Sequence, residues 1–362
     1  MSTSEQLQIP ADVGPGPVSD FGPVDRLERP LRDLRISVTD RCNLRCPYCM
    51  PREVFGPGHE FLEGSALLSF EEIARLTRTL VAQGVSKVRL TGGEPLLRRG
   101  LEDLVEMLVE IEGVEDLALT TNGLLLGTRA GALARAGLQR VTVSLDALEE
   151  DALRSMSDAP ISPQRILEGI EAATEAGLGP VKVNMVVRRG FNDHQILAMA
   201  EHFRHRPQIL RFIEYMDVGA SNGWRMEEVV RGAEILATIA QVWPLEPLAP
   251  ARPGEVAARY RYLDGGGEIG VIQSVSEPFC GGCNRARLSA DGQLFTCLFA
   301  VHGHDLRGLL REGVDDAELG ERLGRIWSGR RDRYSALRTT GTPAATIERE
   351  AGPRIEMSYI GG

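Results

Sequence analysis

The chain has 362 residues, 43% of them hydrophobic, which is enough to bury one large core or two ordinary ones. Its 41 lysines and arginines stand against 51 acidic residues, a net charge of −10, so neither nucleic acid nor an anionic membrane is an expected partner. No run of about 18 apolar residues occurs, and residues 1–10 lack the charged and apolar regions of a signal peptide. We therefore expect a soluble cytoplasmic protein.

The chain begins with a predicted flexible arm and continues as alternating strand and helix patterns. Residues 1–28 contain four prolines and three glycines with little hydrophobic periodicity, which indicates an arm without fixed structure. Ser69 with Glu72 forms a capping-box pattern that predicts one helix start, and Ser162–Pro163 predicts another. Six β-rich runs are predicted at 34–39, 86–91, 117–121, 140–145, 181–187 and 209–215. Strands that alternate with helices predict a parallel sheet or barrel.

Polar and apolar residues alternate along most of these predicted strands. In the first, apolar Leu34 and Ile36 alternate with polar Arg35 and Ser37. A parallel strand covered on both faces is apolar throughout, and a closed eight-stranded barrel fills its lumen with branched aliphatic side chains. We therefore predict an α/β fold with an incomplete (βα)6 barrel of the triose-phosphate-isomerase type, whose wet lumen holds a polar ligand. The last predicted strand, 209–215, breaks the alternation, so its faces are not assigned.

The pattern changes near residue 245, where four prolines within 244–253 indicate a linker. Short β-like runs and a second group of cysteines follow. We predict a partial barrel at 29–247 and a smaller C-terminal cluster-binding region at 248–362.

Three cysteines follow the first predicted strand with the spacing C-x3-C-x2-C: Cys42, Cys46 and Cys49. Three thiolates this close together can ligate three irons of a [4Fe-4S] cube and leave the fourth iron open. Zinc is the alternative, but it requires a fourth ligand, and the nearest histidine, His59, lies ten residues beyond Cys49. The spacing therefore favours an iron–sulfur cluster.

The other three cysteines, Cys280, Cys283 and Cys297, have the spacing C-x2-C-x13-C. They predict a second [4Fe-4S] cluster, again with one open iron. The alternative is a zinc site in which His302 or His304 supplies the fourth ligand.

Two arginines, Arg285 and Arg287, lie on one side of an extended segment directly after Cys283. Because distant charges are screened beyond about 8 Å at physiological salt, an anionic substrate of this acidic chain needs positive charge nearby. Guanidinium groups bind phosphate oxygens in pairs. Lys182, one of only two lysines in the chain, lies on the predicted polar face of its strand. Alternatively, Arg285 and Arg287 are a solvated pair on the protein surface.

The first cysteine loop, with Tyr48 before its third cysteine, resembles the signature of the radical S-adenosylmethionine superfamily. Thr-Gly-Gly-Glu-Pro at 91–95 is similar to the glycine-rich segment that ends the second strand in that family. Its glycines are expected to allow close backbone approach to the methionine amino group. The resemblance implies that the open iron binds the amino and carboxylate groups of S-adenosylmethionine, whose cleavage gives a 5′-deoxyadenosyl radical.

The two cysteine groups together resemble the GTP 3′,8-cyclase family of molybdenum cofactor biosynthesis. The similar segments are 30–42, 120–126, 143–146, 212–219 and 279–287, within a match that runs from about Arg29 to the C-terminus. The resemblance implies contacts to S-adenosylmethionine from Tyr48, Gly93, Ser144 and Met216. It implies contacts to GTP from Arg35, Arg89, Thr120, Lys182, Arg285, Ala286 and Arg287.

The same resemblance implies the reaction. A member of this family is a lyase that converts GTP to (8S)-3′,8-cyclo-7,8-dihydroguanosine 5′-triphosphate, the first step towards the molybdenum cofactor. Hydrogen abstraction from C3′ of the ribose would let that carbon add to C8 of guanine, while the open iron of the second cluster anchors the purine. An external electron donor, a functional link to cyclic pyranopterin monophosphate synthase and a homodimer are further expectations from the family.

The chain ends in Gly361-Gly362 after the apolar stretch 357–360. A frayed terminus is the simpler interpretation. The resemblance instead implies that this tail enters the active site, lies against the arginines on the substrate side and assists the reaction together with Arg285 and Arg287. Glycine, which has no side chain, would fit a channel too narrow for other residues.

Two other functions remain open at the level of sequence. A radical enzyme that modifies peptides would normally need more cysteines than the three left after the first loop. An iron–sulfur or zinc scaffold without enzymatic activity, such as a redox sensor, would explain neither Gly92-Gly93 nor the polar lumen.

Overall fold

The computed structural model describes residues 18–19, 22–252, 254–339 and 353–362. Most of the predicted arm (1–17, 20 and 21) and Pro253 of the predicted linker lie outside the described residues. The prediction of a flexible arm up to residue 28 extends too far, because Asp25 is buried against the protein. None of the described helices combines the length and the apolar character needed to cross a membrane.

The described elements alternate between strands and helices over most of the chain. The strands are β1 (Val18–Ser19), β2 (Gly22–Pro23), β3 (Asp33–Ser37), β4 (Lys87–Thr91), β5 (Asp116–Thr121), β6 (Arg140–Ser144), β7 (Lys182–Val187), β8 (Ile209–Glu214), β9 (Leu245–Leu248), β10 (Ala258–Tyr262), β11 (Glu268–Ile272), β12 (Arg285–Leu288), β13 (Gln293–Phe295) and β14 (His304–Asp305). The helices are α1 (Phe70–Ala82), α2 (Leu101–Val109), α3 (Leu126–Arg135), α4 (Glu150–Ser157), α5 (Pro163–Glu175), α6 (Ile196–Phe203), α7 (Gly232–Ala240), α8 (Leu306–Arg311), α9 (Asp316–Gly329), α10 (Tyr334–Thr339) and α11 (Met357–Ile360).

A single sheet joins the strands from β3 to β14. Strands β3 to β8 are parallel and lie side by side in chain order. The C-terminal region extends this sheet at both ends, with β12 parallel to β3 and β11 parallel to β8. Antiparallel strands complete it, so that β14 and β9 stand at opposite ends of the order and do not pair with each other. The predicted fold class, an incomplete (βα)6 barrel with a smaller C-terminal region, is confirmed.

The predicted alternation places one face of each barrel strand under the helices. Leu34 and Ile36 of β3 are fully buried in the main core, as are Val88 and Leu90 of β4. The capping box at the start of α1 forms as predicted. The backbone N–H of Glu72 donates to the Ser69 hydroxyl at 3.1 Å, and the Ser69 N–H donates to the Glu72 carboxylate at 2.8 Å.

The six predicted strands are present, and their ends differ from the prediction by at most two residues. The largest difference is in β3, which ends at Ser37, although the Val38 N–H still donates to the Thr91 carbonyl of β4 at 3.0 Å. Strand β8 explains its irregular pattern: Leu210 and Phe212 pack into the core, whereas Arg211 and Ile213 face the lumen cavity. An apolar residue on the lumen side therefore interrupts the alternation.

Candidate active site

Both cysteine groups line one large cavity of about 890 Å³ on the lumen side of the sheet. The first group enters it from the loop after β3, and the second from the segments around β12 and β13. All six thiols are free. The fold therefore brings together two cysteine groups that are more than two hundred residues apart in the chain.

The first cysteine loop is a tight turn held mainly by its own backbone. The N–H of Cys49 donates to the carbonyl of Cys46 at 2.9 Å, and Arg45 donates to the carbonyls of Cys42 at 2.8 Å and Phe55 at 2.7 Å. The Cys42 sulfur accepts a hydrogen bond from the backbone N–H of Leu44 at 3.4 Å. Burial raises the pKa of the Cys42 thiol to about 11, and it raises the pKa values of Cys46 and Cys49 as well.

Gly92 and Gly93 follow β4 and pack directly on the strand-to-loop segment before the cysteines. A Cβ atom on Gly92 would lie 2.5 Å from the carbonyl oxygen of Thr39, and one on Gly93 would lie 2.3 Å from that of Arg41. The N–H of Gly93 donates to the Thr39 carbonyl at 2.8 Å. The glycines are therefore required by the protein's own backbone, a reason that the sequence analysis missed when it invoked only the approach of a ligand.

Two buried carboxylates that the sequence analysis did not select support the first group. Glu94 accepts hydrogen bonds from the Thr121 hydroxyl at 2.7 Å and from the Asn122 N–H at 2.8 Å, which ties the glycine segment to β5. Asp146 accepts from the Tyr48 hydroxyl at 2.8 Å, and burial raises the pKa of this carboxyl to about 6. Both carboxylates lie inside motifs that the sequence analysis quoted, but their burial has no sequence signal.

The second cysteine group has a different environment, with guanidinium groups on a sulfur. The Cys283 sulfur accepts from Arg330 at 3.2 Å and from Arg285 at 3.5 Å. Burial alone would raise the pKa of this thiol, but the two guanidinium groups outweigh it and lower the pKa to about 6. Burial raises the pKa of Cys297 to about 12, and its sulfur accepts from the Phe299 N–H at 3.4 Å.

Cationic side chains cover the sheet between the two cysteine groups. Arg287, Arg35 and Arg89 are paired in register on the adjacent strands β12, β3 and β4, so they share the lumen face. Burial lowers the pKa of Arg35 well below its usual range, and Arg287 and Arg89 lower it further. Burial, and then Arg211 and the other nearby arginines, lower the pKa of Lys182 to about 7. This array of like charges is arranged to receive an anion.

The structure brings most of the predicted substrate and cofactor residues into this cavity. The lining includes Tyr48, Gly93, Ser144, Met216, Arg35, Arg89, Thr120, Lys182, Arg285 and Arg287. Ala286 does not line it: its side chain is fully buried in the core on the opposite face of β12, as strand alternation requires. Sequence reasoning missed Asn184 and Arg211, which also line the cavity and are joined by a hydrogen bond of 2.9 Å.

The C-terminal tail reaches this cavity. The carbonyl of Gly361 accepts a hydrogen bond from Arg287, and Gly362 lines the cavity. A Cβ atom on Gly361, whose φ is +73°, would lie 2.3 Å from Cγ2 of Thr91. Upstream, Arg354 donates to the buried Asp217 at 2.8 Å, which fixes the tail beside Met216.

Comparison with known proteins decides the family. A model described as the radical SAM superfamily matches residues 36–203, and one described as Molybdenum Cofactor Synthesis C matches 208–336. A GTP 3′,8-cyclase of Acidothermus cellulolyticus is 54% identical, over 93% of this chain and 98% of its own. One of Xanthomonas campestris pv. campestris is 51% identical, over 93% of this chain and 97% of its own. The chain belongs to the GTP 3′,8-cyclase family.

Membership of the GTP 3′,8-cyclase family, within the radical SAM superfamily, implies one [4Fe-4S] cluster and S-adenosylmethionine. The first cysteine group fits the cluster, since its three free thiols lie on one loop at the cavity wall.

Among solved structures, methylornithine synthase aligns with 60% of this chain and 63% of its own at 16% identity, with a TM-score of 0.46.

The zinc alternative for the second group finds no support in the positions of the histidines. Neither His302 nor His304 lines the cavity into which Cys280, Cys283 and Cys297 face. In the described ranges, no three side chains of histidine, cysteine, aspartate or glutamate converge on a point suited to a single metal ion.

Proposed function

We propose that this chain is a GTP 3′,8-cyclase, a radical S-adenosylmethionine lyase that converts GTP to (8S)-3′,8-cyclo-7,8-dihydroguanosine 5′-triphosphate in the first step of molybdenum cofactor biosynthesis. The observation that supports this most strongly is the single cavity in which two cysteine groups flank an array of cations. The chain covers 98% of a curated GTP 3′,8-cyclase at 54% identity, so the whole architecture is shared with that family.

The first cysteine group is proposed to hold the cluster that receives S-adenosylmethionine. When bound, this cluster and S-adenosylmethionine supply the radical chemistry that joins C3′ of the ribose to C8 of guanine. Tyr48, Gly93, Ser144 and Met216 surround that side of the cavity and are the proposed contacts to S-adenosylmethionine. Asp146 holds the Tyr48 ring in place through their 2.8 Å hydrogen bond.

The cations on the lumen face are proposed to bind the triphosphate of GTP. Arg35 and Arg89 are buried beside each other. A bound anion would stabilise both charged side chains, because it offsets their mutual repulsion. Lys182 is partly neutral in the free protein, since its pKa is about 7, and a bound triphosphate favours its charged form. Thr120 accepts from Arg89 at 3.0 Å and keeps that guanidinium aimed along the sheet.

The second cysteine group is proposed to hold a second [4Fe-4S] cluster, whose open iron anchors the purine. Cys280, Cys283 and Cys297 lie on the side of the cavity that Arg285 and Arg287 share. The tail is proposed to position Arg287 through the carbonyl of Gly361. In this proposal the barrel (29–247) supplies the site for radical generation, the region 248–362 supplies the substrate anchor, and an external donor supplies the electrons.

The experiment that tests the proposed function uses the full chain, purified and reconstituted without oxygen. Two clusters correspond to about eight irons per chain. Incubation with dithionite, S-adenosylmethionine and GTP should consume GTP and give the cyclised triphosphate, measured by mass spectrometry, while ATP in parallel should give no cyclised product. Cleavage of S-adenosylmethionine with GTP left intact would contradict the proposal.

A further inference from the structure

One buried carboxylate joins two buried arginines behind the second cysteine group. Asp25 accepts from Arg29 at 2.6 Å and from Arg330 at 3.2 Å. The three side chains are 0%, 2% and 1% exposed, so the whole network is shielded from water. They come from the segment before the barrel and from the end of α9, about three hundred residues apart in the chain.

The two guanidinium groups also contact the backbone at or next to all three cysteines of the second group. Arg29 donates to the carbonyl of Cys280 at 2.7 Å. Arg330 donates to the carbonyl of Cys283 at 2.6 Å and to its sulfur at 3.2 Å. The Nε of Arg330 donates to the carbonyl of Thr296, the residue before Cys297, at 3.0 Å.

The charge balance of this network points to an anion beside it. Within its fully buried part, the carboxylate of Asp25 faces two guanidinium groups, because the second carboxylate near Arg330, that of Asp332 at 3.6 Å from Nε, is 35% exposed and screened by solvent. Uncompensated buried charge destabilises a fold, so a further negative group beside this network would stabilise it. The Cys283 sulfur is the acceptor in contact with this positive charge, 3.2 Å from Arg330 and 3.5 Å from Arg285.

We infer that the network of Asp25, Arg29 and Arg330 positions the second cysteine group, and that Arg330 raises the reduction potential of the cluster held there. This inference rests on the second cluster of the proposed function. Reduction adds one negative charge to an iron–sulfur cluster, and hydrogen bonds to its sulfurs together with nearby positive charge favour the reduced form. Arg330 is thus a positioning residue that acts through Cys283 and does not line the substrate cavity.

The test compares Arg330→Gln with Arg330→Lys and with Arg331→Gln, in the full chain reconstituted without oxygen. Arg331 is exposed, so its substitution removes the same charge one residue away and serves as the matched control. The readouts are iron and sulfide per chain and the midpoint potentials of the two clusters, followed by electron paramagnetic resonance during redox titration. If Arg330→Gln alone fails to fold, the double variant Asp25→Asn/Arg330→Gln removes one charge of each sign, and its remaining effect on the potential is that of the lost hydrogen bond to the Cys283 sulfur.

We expect Arg330→Gln to lower the potential of the second cluster and leave that of the first unchanged, with Arg330→Lys between it and the parent protein. Arg331→Gln should match the parent. The inference is overturned if both clusters keep their potentials in Arg330→Gln, or in the double variant should the single one not fold. About four irons in the parent protein would instead refute the second cluster itself, and with it this inference.

Discussion

The two cysteine groups offer the same number of thiols to one cavity but surround them differently. A backbone N–H contacts the Cys42 sulfur of the first group, and burial raises the pKa of that thiol to about 11. In the second group, Arg330 and Arg285 donate to the Cys283 sulfur, and its pKa falls to about 6. The spacing of the cysteines therefore does not fully describe either site, because the charged groups that contact the sulfurs differ between them.

This difference fits separate proposed roles for the two cysteine groups, one in binding S-adenosylmethionine and one in binding GTP. The first group lines the cavity together with Gly93 and Met216, where S-adenosylmethionine is proposed to bind, and the hydrogen bond to its Cys42 sulfur comes from a backbone N–H. The second group is continuous with the arginines proposed to bind GTP.

Replacing one cysteine in each group should give opposite partial reactions. Cys46→Ser removes a proposed ligand of the cluster that activates S-adenosylmethionine, so cleavage of this cofactor should be abolished. Cys283→Ser should spare uncoupled cleavage but remove cyclised product and weaken GTP binding. Both products are measured by chromatography after anaerobic incubation. Cyclised nucleotide from the Cys283 variant would show that the second group is not the substrate anchor.

Removing Gly361 and Gly362 should lower cyclised product by orders of magnitude while cleavage of S-adenosylmethionine and both iron contents stay near normal. The reason is that Arg287 loses the carbonyl it contacts at the cavity wall. Gly361→Val should have a similar effect, because its Cβ would overlap Thr91. Gly313→Ala serves as a control, since a Cβ atom there meets no neighbour, although its φ of +81° carries some strain. Full cyclase turnover in the truncated chain would reject a role for the tail.

Lys182→Ala should weaken GTP binding by roughly 1.5–3 kcal/mol, the range for a hydrogen bond to a charged group, and should barely affect guanosine. Lys182 has a pKa of about 7 in the free protein, so the parent should bind GTP less tightly as the pH rises through that value. The variant should lack this part of the pH dependence. Calorimetry between about pH 6 and pH 9 measures both effects, and an equal loss for GTP and guanosine would assign Lys182 to the fold instead.

Arg45→Lys should have the smallest effect. Arg45 braces the first cysteine loop through the carbonyls of Cys42 and Phe55, not through a sulfur. Its replacement should lower the free energy of unfolding by about 1 kcal/mol in denaturant titrations. The potential of the first cluster should change less than that of the second does in Arg330→Gln. A larger change would remove the contrast between the two groups.

The sequence predicted the fold well because its signals are local. Alternation placed Leu34 and Ile36 in the core and Arg35 in the lumen, and the same rule found most of the cations. Ala286 was assigned to the substrate through its place in a motif. Its position on β12 turns its side chain into the core, so a contact to the substrate would come from its backbone.

What the sequence did not predict depends on contacts between distant segments. Asp25 falls in a stretch whose composition indicates a flexible arm, yet it is buried and paired with Arg29 and with the distant Arg330. Asp146 and Glu94 are buried carboxylates within quoted motifs, but their partners on other elements have no pattern in the sequence. Such partners become visible only when the chain is folded.

We propose that one cavity holds two clusters with separate ligands. The most direct test prepares two variants, one with serine at Cys280, Cys283 and Cys297, and one with serine at the three cysteines of the first group. Electron paramagnetic resonance of each reduced protein then records the effect of each ligand. S-adenosylmethionine should perturb only the cluster of the first group, and GTP only that of the second. If GTP leaves the second cluster unchanged or perturbs the first alone, the account is contradicted.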